Sequence, residues 1–434
     1  MSIEHTNRQS YAEGRGLWEV SAPPAPETAA LGQDTATEVA VVGAGFTGLS
    51  AALHLAELGI PTVVLEASTI GAGGSGRNVG LVNAGLWLRP NDVIATLGPT
   101  YGSSLIDQLS EAPALVFAIV NRYHIECEAT QVGTLHCAVG SRGYREIEER
   151  ARQWRALGAP VELQGASKTR ALVGGGGFLG SLLDRRAGTI QPLAYVRGLA
   201  RAAISQGARI YTESPVQAIS TLGSRWQLLT PRGRLSATTV IVATNAYSSH
   251  ACTSLRTELT RLPYFNFATD PLPESLARSI LPERHGIWDT RTVLTSLRFD
   301  VNNRLIYGSV GALRGRGLGV HREWARRSLG KLFPELRDIK MRHEWYGWIG
   351  MTMDAVPRFH QLGPNIYAIS GYNGRGIAPG TTFGRMLALL AKDPETGNSL
   401  PLPLTPVVTQ RWRSLREAVY ELGAKIVHYG SDRG

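Results

Sequence analysis

The chain has 434 residues, 43% hydrophobic and 18% charged, which is enough for two domains and too apolar for a disordered protein. The formal charge is +10, but the arginines that carry most of it are scattered, with no stripe or cluster that would point to nucleic acid. Three cysteines (Cys127, Cys137, Cys252) without C-x-x-C spacing argue against a disulfide framework or a zinc site, the histidines lack metal-ligand spacing, and no apolar run reaches the roughly 18 residues of a membrane span.

The N-terminal stretch Met1–Glu19 is polar and has no apolar signal core, so a cytoplasmic location is expected. Residues 1–36 read as a lead-in broken by Pro23, Pro24 and Pro26. Residues 38–42 (Glu-Val-Ala-Val-Val) form a buried strand that stops at glycine. Gly43-Ala-Gly-Phe-Thr-Gly48 follows, then a helix over 49–58, a strand over 61–65 and Glu66 just past it. This is one βαβ unit. Gly43 allows the tight turn, Gly45 lets backbone N–H groups reach a pyrophosphate, and Gly48 lets the helix pack on the sheet. Phe46 and Thr47 open the helix whose N-terminus favours phosphate, and Glu66, followed by Ala67, would accept hydrogen bonds from ribose hydroxyls.

A second glycine-rich loop, Gly71–Gly80, carries Ser75, Arg77, Asn78 and Val79. Further on, the pattern predicts a helix over 192–206, short strands at 209–212 and 216–219, and a hairpin of 226–230 with 235–238. Two more buried strands, 239–243 and 366–370, follow, the last leading into glycine-rich 371–380 and a helix over 381–391. Regions 90–186 and 251–344 are less regular, with aromatic strand-like runs. The C-terminal stretch 406–428 has Val408, Trp412, Leu415, Val419, Leu422 and Ile426 at three-to-four spacing, an amphipathic helix. Docking of that stripe on the protein's own core is the leading expectation; contact with an acidic membrane surface or a partner is the alternative.

Taken together, residues 41–48, Gly74-Ser-Gly-Arg-Asn78, Val240-Ile-Val-Ala-Thr-Asn-Ala-Tyr247 and Ser370-Gly-Tyr-Asn-Gly-Arg-Gly-Ile377 resemble the FAD-dependent D-amino-acid-oxidase-like family over about 36–390. Within it, residues 80–87 and 133–139 look most like bacterial L-pipecolate oxidases, and the chain as a whole resembles L-pipecolate and γ-glutamylputrescine oxidases most. The resemblance implies an α/β fold: a Rossmann-type FAD-binding domain (36–90, 186–250, 345–392) and an α+β substrate domain with a large mixed or antiparallel sheet (91–185, 251–344). Residues 393–434 would form a tail with the amphipathic helix. It also implies that Val216 brackets the adenine and that Ala243 and Thr244 lie near the pyrophosphate. Gly371, Gly374, Arg375, Gly376 and Ile377 would then run under the pyrimidine side of the flavin. Some relatives bind flavin covalently through a cysteine whose position here falls near Gly347, so noncovalent FAD is expected.

The implied reaction is oxidation of a small amine or imino acid by hydride transfer to flavin N5, with L-pipecolate giving Δ1-piperideine-6-carboxylate as the first reading. Oxidation of γ-glutamylputrescine or a sarcosine-like amine, or a flavin subunit passing electrons to a quinone or carrier, are the alternatives. Arg298 matches a carboxylate-binding strand position of glycine oxidases, and a planar guanidinium suits that task. Tyr264, Tyr346 and Trp348 are candidates for an aromatic wall, with Asn83 and Trp87 facing the ring. The lysine that sarcosine oxidases hold over the flavin would fall near Leu305, so the electron acceptor is left between oxygen and a quinone. No metal and no nucleic acid enter this reading.

Overall fold

The β-branched run that begins the glycine motif lies at the centre of a nine-stranded sheet. Thr35–Val42 is flanked in parallel by Thr62–Leu65 and Arg234–Val242, and Arg209–Tyr211 and Ile366–Ser370 extend the parallel set on either side. The inner strands are buried on both faces, which is why they read as continuous apolar runs rather than as alternating ones. Helices Phe46–Glu57, Pro192–Ser205 and Ala378–Lys392 pack on it through one large apolar cluster. Arg358–Gly363 and Leu404–Thr405 close one edge, and the Arg225–Leu229 hairpin partner lies on Arg234–Val242 as the sequence predicts. The computed structural model describes residues 16–248 and 250–431 of this chain. Most of the polar N-terminal stretch expected to lack a signal core thus lies outside the described residues.

A second, eight-stranded mixed sheet runs Met341–Met351, Thr260–Thr269, Leu305–Val310, Thr295–Phe299, Gly286–Asp289, Thr134–Ala138, Gly180–Asp184 and Val161–Gly165. It is antiparallel except where Gly286–Asp289 pairs in parallel with Thr134–Ala138, which sets Trp288 opposite His136. The fold is therefore α/β with two large sheets, each assembled from discontinuous segments.

Several boundaries differ from the sequence reading. Strand Met341–Met351 runs through the division expected at 345, and Leu404–Thr405, given to the tail, belongs to the first sheet. Helices Pro90–Ser110 and Ala112–Arg122 join the apolar cluster of the first sheet's helices, through Val93, Leu105 and Val116. Together they form one helical run long and apolar enough to cross a membrane, but Gly98 (φ 77°) and Pro99 break it and half of it is buried in the fold. The lead-in is not loose: Leu17 and Trp18 are buried, and Trp18 stacks edge-on against Trp345 while its indole N–H donates to Asn78 O (2.9 Å).

The C-terminal helix corrects the expectation of core docking. It spans Arg413–Gly430, starting after Trp412 adopts a left-handed conformation (φ 61°). Its apolar stripe is exposed. The face against the body is the polar one: Glu417 accepts from Arg261 N (3.0 Å), Glu421 pairs with Arg314 (2.6 Å), and Ala424 and His428 are buried. Helical periodicity defines an apolar face but not the side on which the body lies.

Candidate active site

The turn after Thr35–Val42 is shaped by what glycine lacks. Gly43 has φ +105°, and a Cβ on Gly48 would stand 1.9 Å from Gly43 O, so helix and turn touch backbone to backbone. Helix Phe46–Glu57 begins at Gly45 without any side-chain cap, leaving first-turn N–H groups for another acceptor. Ser75 Oγ, from the second glycine loop, takes the N–H of Phe46 (3.0 Å). Glu66 accepts from Ala44 N (2.8 Å) and Ser68 N (2.9 Å). Burial pushes its carboxyl above the ordinary carboxylate range, with these N–H bonds opposing the shift.

A cavity of about 450 Å³ starts here and runs between the two sheets. At one end it is lined by Val216, Glu66 and Ala67, beside Cys252. It passes Gly43, Gly45, Phe46, Thr47, Ala243 and Thr244. The second loop supplies Ser75, Arg77, Asn78 and Val79, and the loop after Ile366–Ser370 supplies Gly374, Arg375, Gly376 and Ile377. Arg77 and Asn78 also hold their loop in shape: Arg77 Nε donates to Ala72 O (2.8 Å), and Asn78 Nδ2 donates to the carbonyls of Gly74 and Ser75 (3.0 Å each).

The far end is aromatic and cationic. Trp87 meets Trp288 edge-on at 4.9 Å, and His136 stacks beneath Trp288 at 3.4 Å. The Arg375 guanidinium lies 4.8 Å from the Trp288 ring and 5.2 Å from the Trp87 ring, within cation–π reach of both. Arg375 donates through Nη1 to Ala84 O (2.7 Å), while its buried Nε has no partner among the described residues. Burial pulls its pKa down to about 9, and Arg150 nearby adds to the shift; it stays a cation at neutral pH. His136 is held neutral by burial next to Arg150 and Arg375. Tyr264 closes the wall with its hydroxyl bonded to Ser296 Oγ (2.6 Å), and burial raises its pKa. Trp348, on the neighbouring strand, also lines the cavity, its backbone N–H donating to Tyr247 Oη (2.9 Å). Asn83 and Trp87 line the cavity as expected.

Four residues singled out from the sequence lie elsewhere. Gly48 is behind the wall, in the helix–strand contact that its packing role requires. Gly371 forms the turn (φ +81°) and donates to Asn245 Oδ1 (3.0 Å). Tyr346 is outside the cavity wall and packs at the margin of the second sheet's core, with an edge contact to Trp348. Arg298 is the substantive correction. It is 2% exposed and spends its guanidinium on Phe299 O (3.0 Å), Ile190 O and Glu128 (3.4 Å), with Trp18 5.4 Å away. Its donors tie the second sheet to the segment before helix Pro192–Ser205, so the expected carboxylate clamp does not form there. The sequence reading missed Trp288, His136, Tyr247 and Asn373. Asn373 bridges Thr352 N (2.8 Å) and Gly371 O (2.5 Å), and its positive φ (52°) in a glycine-rich turn was the available signal.

The helix N-terminus with free first-turn N–H groups, the glycine turn Gly43-Ala-Gly45 and the carboxylate at the end of the next strand form the donor and acceptor set of a dinucleotide site. The cavity then continues past a second loop to a cationic, aromatic end. These features define an FAD-binding oxidoreductase. Residues 38–390 match the FAD dependent oxidoreductase family, and the chain belongs to it. The chain is 35% identical to a gamma-glutamylputrescine oxidoreductase of Escherichia coli over 369 residues, 83% of this chain and 85% of that protein. It is 30% identical to the probable oxidoreductase OrdL of Haemophilus influenzae, covering 81% and 82%. Among solved structures, glycine oxidase from Geobacillus kaustophilus superposes with a TM-score of 0.71 at 19% identity, over 86% of this chain and 99% of that one. The protein is thus an FAD-dependent enzyme of the family that acts on amines or amino acids.

Proposed function

We propose that this enzyme oxidises a small amine or imino acid bearing a carboxylate, with L-pipecolate going to Δ1-piperideine-6-carboxylate as the leading substrate. The observation that carries this reading is Arg375, here given a substrate role in place of the flavin contact that the resemblance implied: a buried guanidinium beside two indoles, at the far end of the cavity, with an unpartnered Nε. A carboxylate there would gain charge-assisted hydrogen bonds in a site of low dielectric. Trp87, Trp288 and Tyr264 would pack an apolar ring and exclude water. Among the described lining residues the sole acid is Glu66, at the dinucleotide end, so no carboxylate holds the substrate nitrogen as ammonium. A neutral amine keeps its lone pair for the forming C=N bond, and the chain needs to orient rather than deprotonate it. When bound, FAD supplies the acceptor for the hydride from the carbon beside that nitrogen.

A second reading, oxidation of γ-glutamylputrescine, is supported by the Escherichia coli relative at 35% identity. It requires the cavity to take a longer chain with its reactive amine far from its carboxylate. The described lining has no lysine, which leaves oxygen and a quinone as rival acceptors. Anaerobic titration of the holoenzyme separates the readings. Bleaching of the flavin band by L-pipecolate alone is expected; bleaching by γ-glutamylputrescine and not by L-pipecolate would replace the first reading with the second. Admission of air then tells whether oxygen restores the band.

A further inference from the structure

The C-terminal helix presents to solvent the face that an ordinary surface helix buries. Trp412, Leu415, Val419, Leu422 and Ile426 are each more than half exposed, Trp412 to 71%. They fall, with Tyr429, on an arc about 100° wide at 3.6 residues per turn. The opposite side is already committed to the body. His428 stacks on Trp324 at 3.7 Å and shares hydrogen bonds with His321 (2.8 Å) and Ser309 (3.3 Å), and Arg327 donates to its carbonyl (3.0 Å). The exposed stripe is therefore not a core face waiting for its own core.

Charge selects what covers it. Both acids of the helix, Glu417 and Glu421, turn inward, the first toward Arg256 and Arg261 N, the second toward Arg314 and Lys425. The outward surface is left basic: Arg411, just before the helix, is exposed and Arg416 is half-exposed in the first turn, while Arg413 turns inward and donates to Arg256 O (2.6 Å). A second copy laid on the same face would offer these arginines no acid to pair with, since both acids of the helix face the body. We infer that this face seats the enzyme on an anionic lipid bilayer, the helix lying in the plane of the interface with its apolar arc in the acyl boundary and its arginines at the headgroups. The seat adjoins the cavity. Arg416 contacts Met353, which is itself exposed and lies between the cavity-lining Met351 and Ala355. Arg314, paired with Glu421, sits 5.5 Å from the ring of cavity-lining Trp348. Docking thus turns the Trp348 side of the cavity toward the membrane.

The test is flotation of the full-length holoenzyme with vesicles of phosphatidylcholine alone and of equal parts phosphatidylcholine and phosphatidylglycerol. Binding to the anionic vesicles only, weakened by salt, is expected. Leu422→Glu should abolish it, and Arg411→Ala and Arg416→Ala should each weaken it about fivefold, with the flavin spectrum unchanged in all three. Equal binding to both vesicles, or none to either, overturns the inference. So does a dimer in light scattering that Leu422→Glu converts to monomer without any vesicle binding, which would assign the face to a second copy.

Discussion

The Arg375 guanidinium stands 4.8 Å from the centre of the Trp288 ring, on which the His136 imidazole stacks at 3.4 Å. The three side chains come from segments far apart in sequence and form a cluster in which only Arg375 is a cation, since burial keeps His136 neutral. A neutral histidine under the indole supports the arginine without repelling it. A protonated one would place two buried cations on one ring.

This arrangement predicts a split in the kinetics of an Arg375 variant. Arg375→Met keeps much of the side-chain volume and removes the charge. The concentration of a carboxylate substrate needed to half-reduce the flavin should rise about 10- to 100-fold, the worth of one to two charge-assisted hydrogen bonds. Arg375→Lys should restore part of the loss, because a point charge cannot reproduce the planar fork. Stopped-flow reduction under anaerobic conditions measures both. Unchanged half-saturation in Arg375→Met would remove Arg375 from substrate binding.

The cofactor should leave the protein intact. Gly347 occupies the position where a thiol would be needed, and a Cβ there already meets Arg77 and Tyr247 at 3.1 Å. Cys252 does line the cavity, but in the apolar cluster with Val216 at the opposite end, and burial pushes its thiol up to about 11. A protonated, buried thiol is a poor nucleophile. Acid precipitation should therefore release all of the flavin as FAD into the supernatant. Yellow colour retained in the washed pellet would show a covalent bond.

Local chemistry made the dinucleotide half legible. A β-branched run, a glycine turn and a helix are adjacent in sequence, and each glycine there does a job set by its immediate neighbours. The substrate half depends on pairings that adjacency does not reveal. Trp288 reaches the cavity because residues 286–289 pair with 134–138, a match across some 150 positions that also delivers His136. Arg298 shows the limit of reasoning by strand position. It belongs to the strand that was expected, but the carbonyls of Ile190 and Phe299 and the carboxylate of Glu128 take its donors. The C-terminal stripe shows the same limit for helices, since its apolar period was visible and the side facing the body was not.

The histidine pair that anchors this helix predicts how the protein responds to acid. Burial lowers the pKa of His321 to about 4 and that of His428 to about 3, with Lys425 adding to the first shift and His321 and Arg327 to the second. Their Nδ1 atoms are 2.8 Å apart, a contact that needs one ring to donate and the other to accept, so at least one of the two must keep an unprotonated Nδ1. In the unfolded chain both titrate near 6.5. Below that pH the unfolded state binds more protons than the folded one, so stability is full above about 6.5 and falls as pH drops toward 4. At pH 5 the loss is about 2 kcal/mol for each histidine. Thermal melts between pH 7.5 and 5 should show a falling midpoint, and His428→Phe, which keeps the stack on Trp324 and cannot be protonated, should remove about half of the slope. The substituted protein will lose the hydrogen bonds to His321 and Ser309 and start from a lower midpoint at pH 7.5, so the slope and not the midpoint is the test. A slope unchanged by His428→Phe would mean that the acid sensitivity arises elsewhere in the fold.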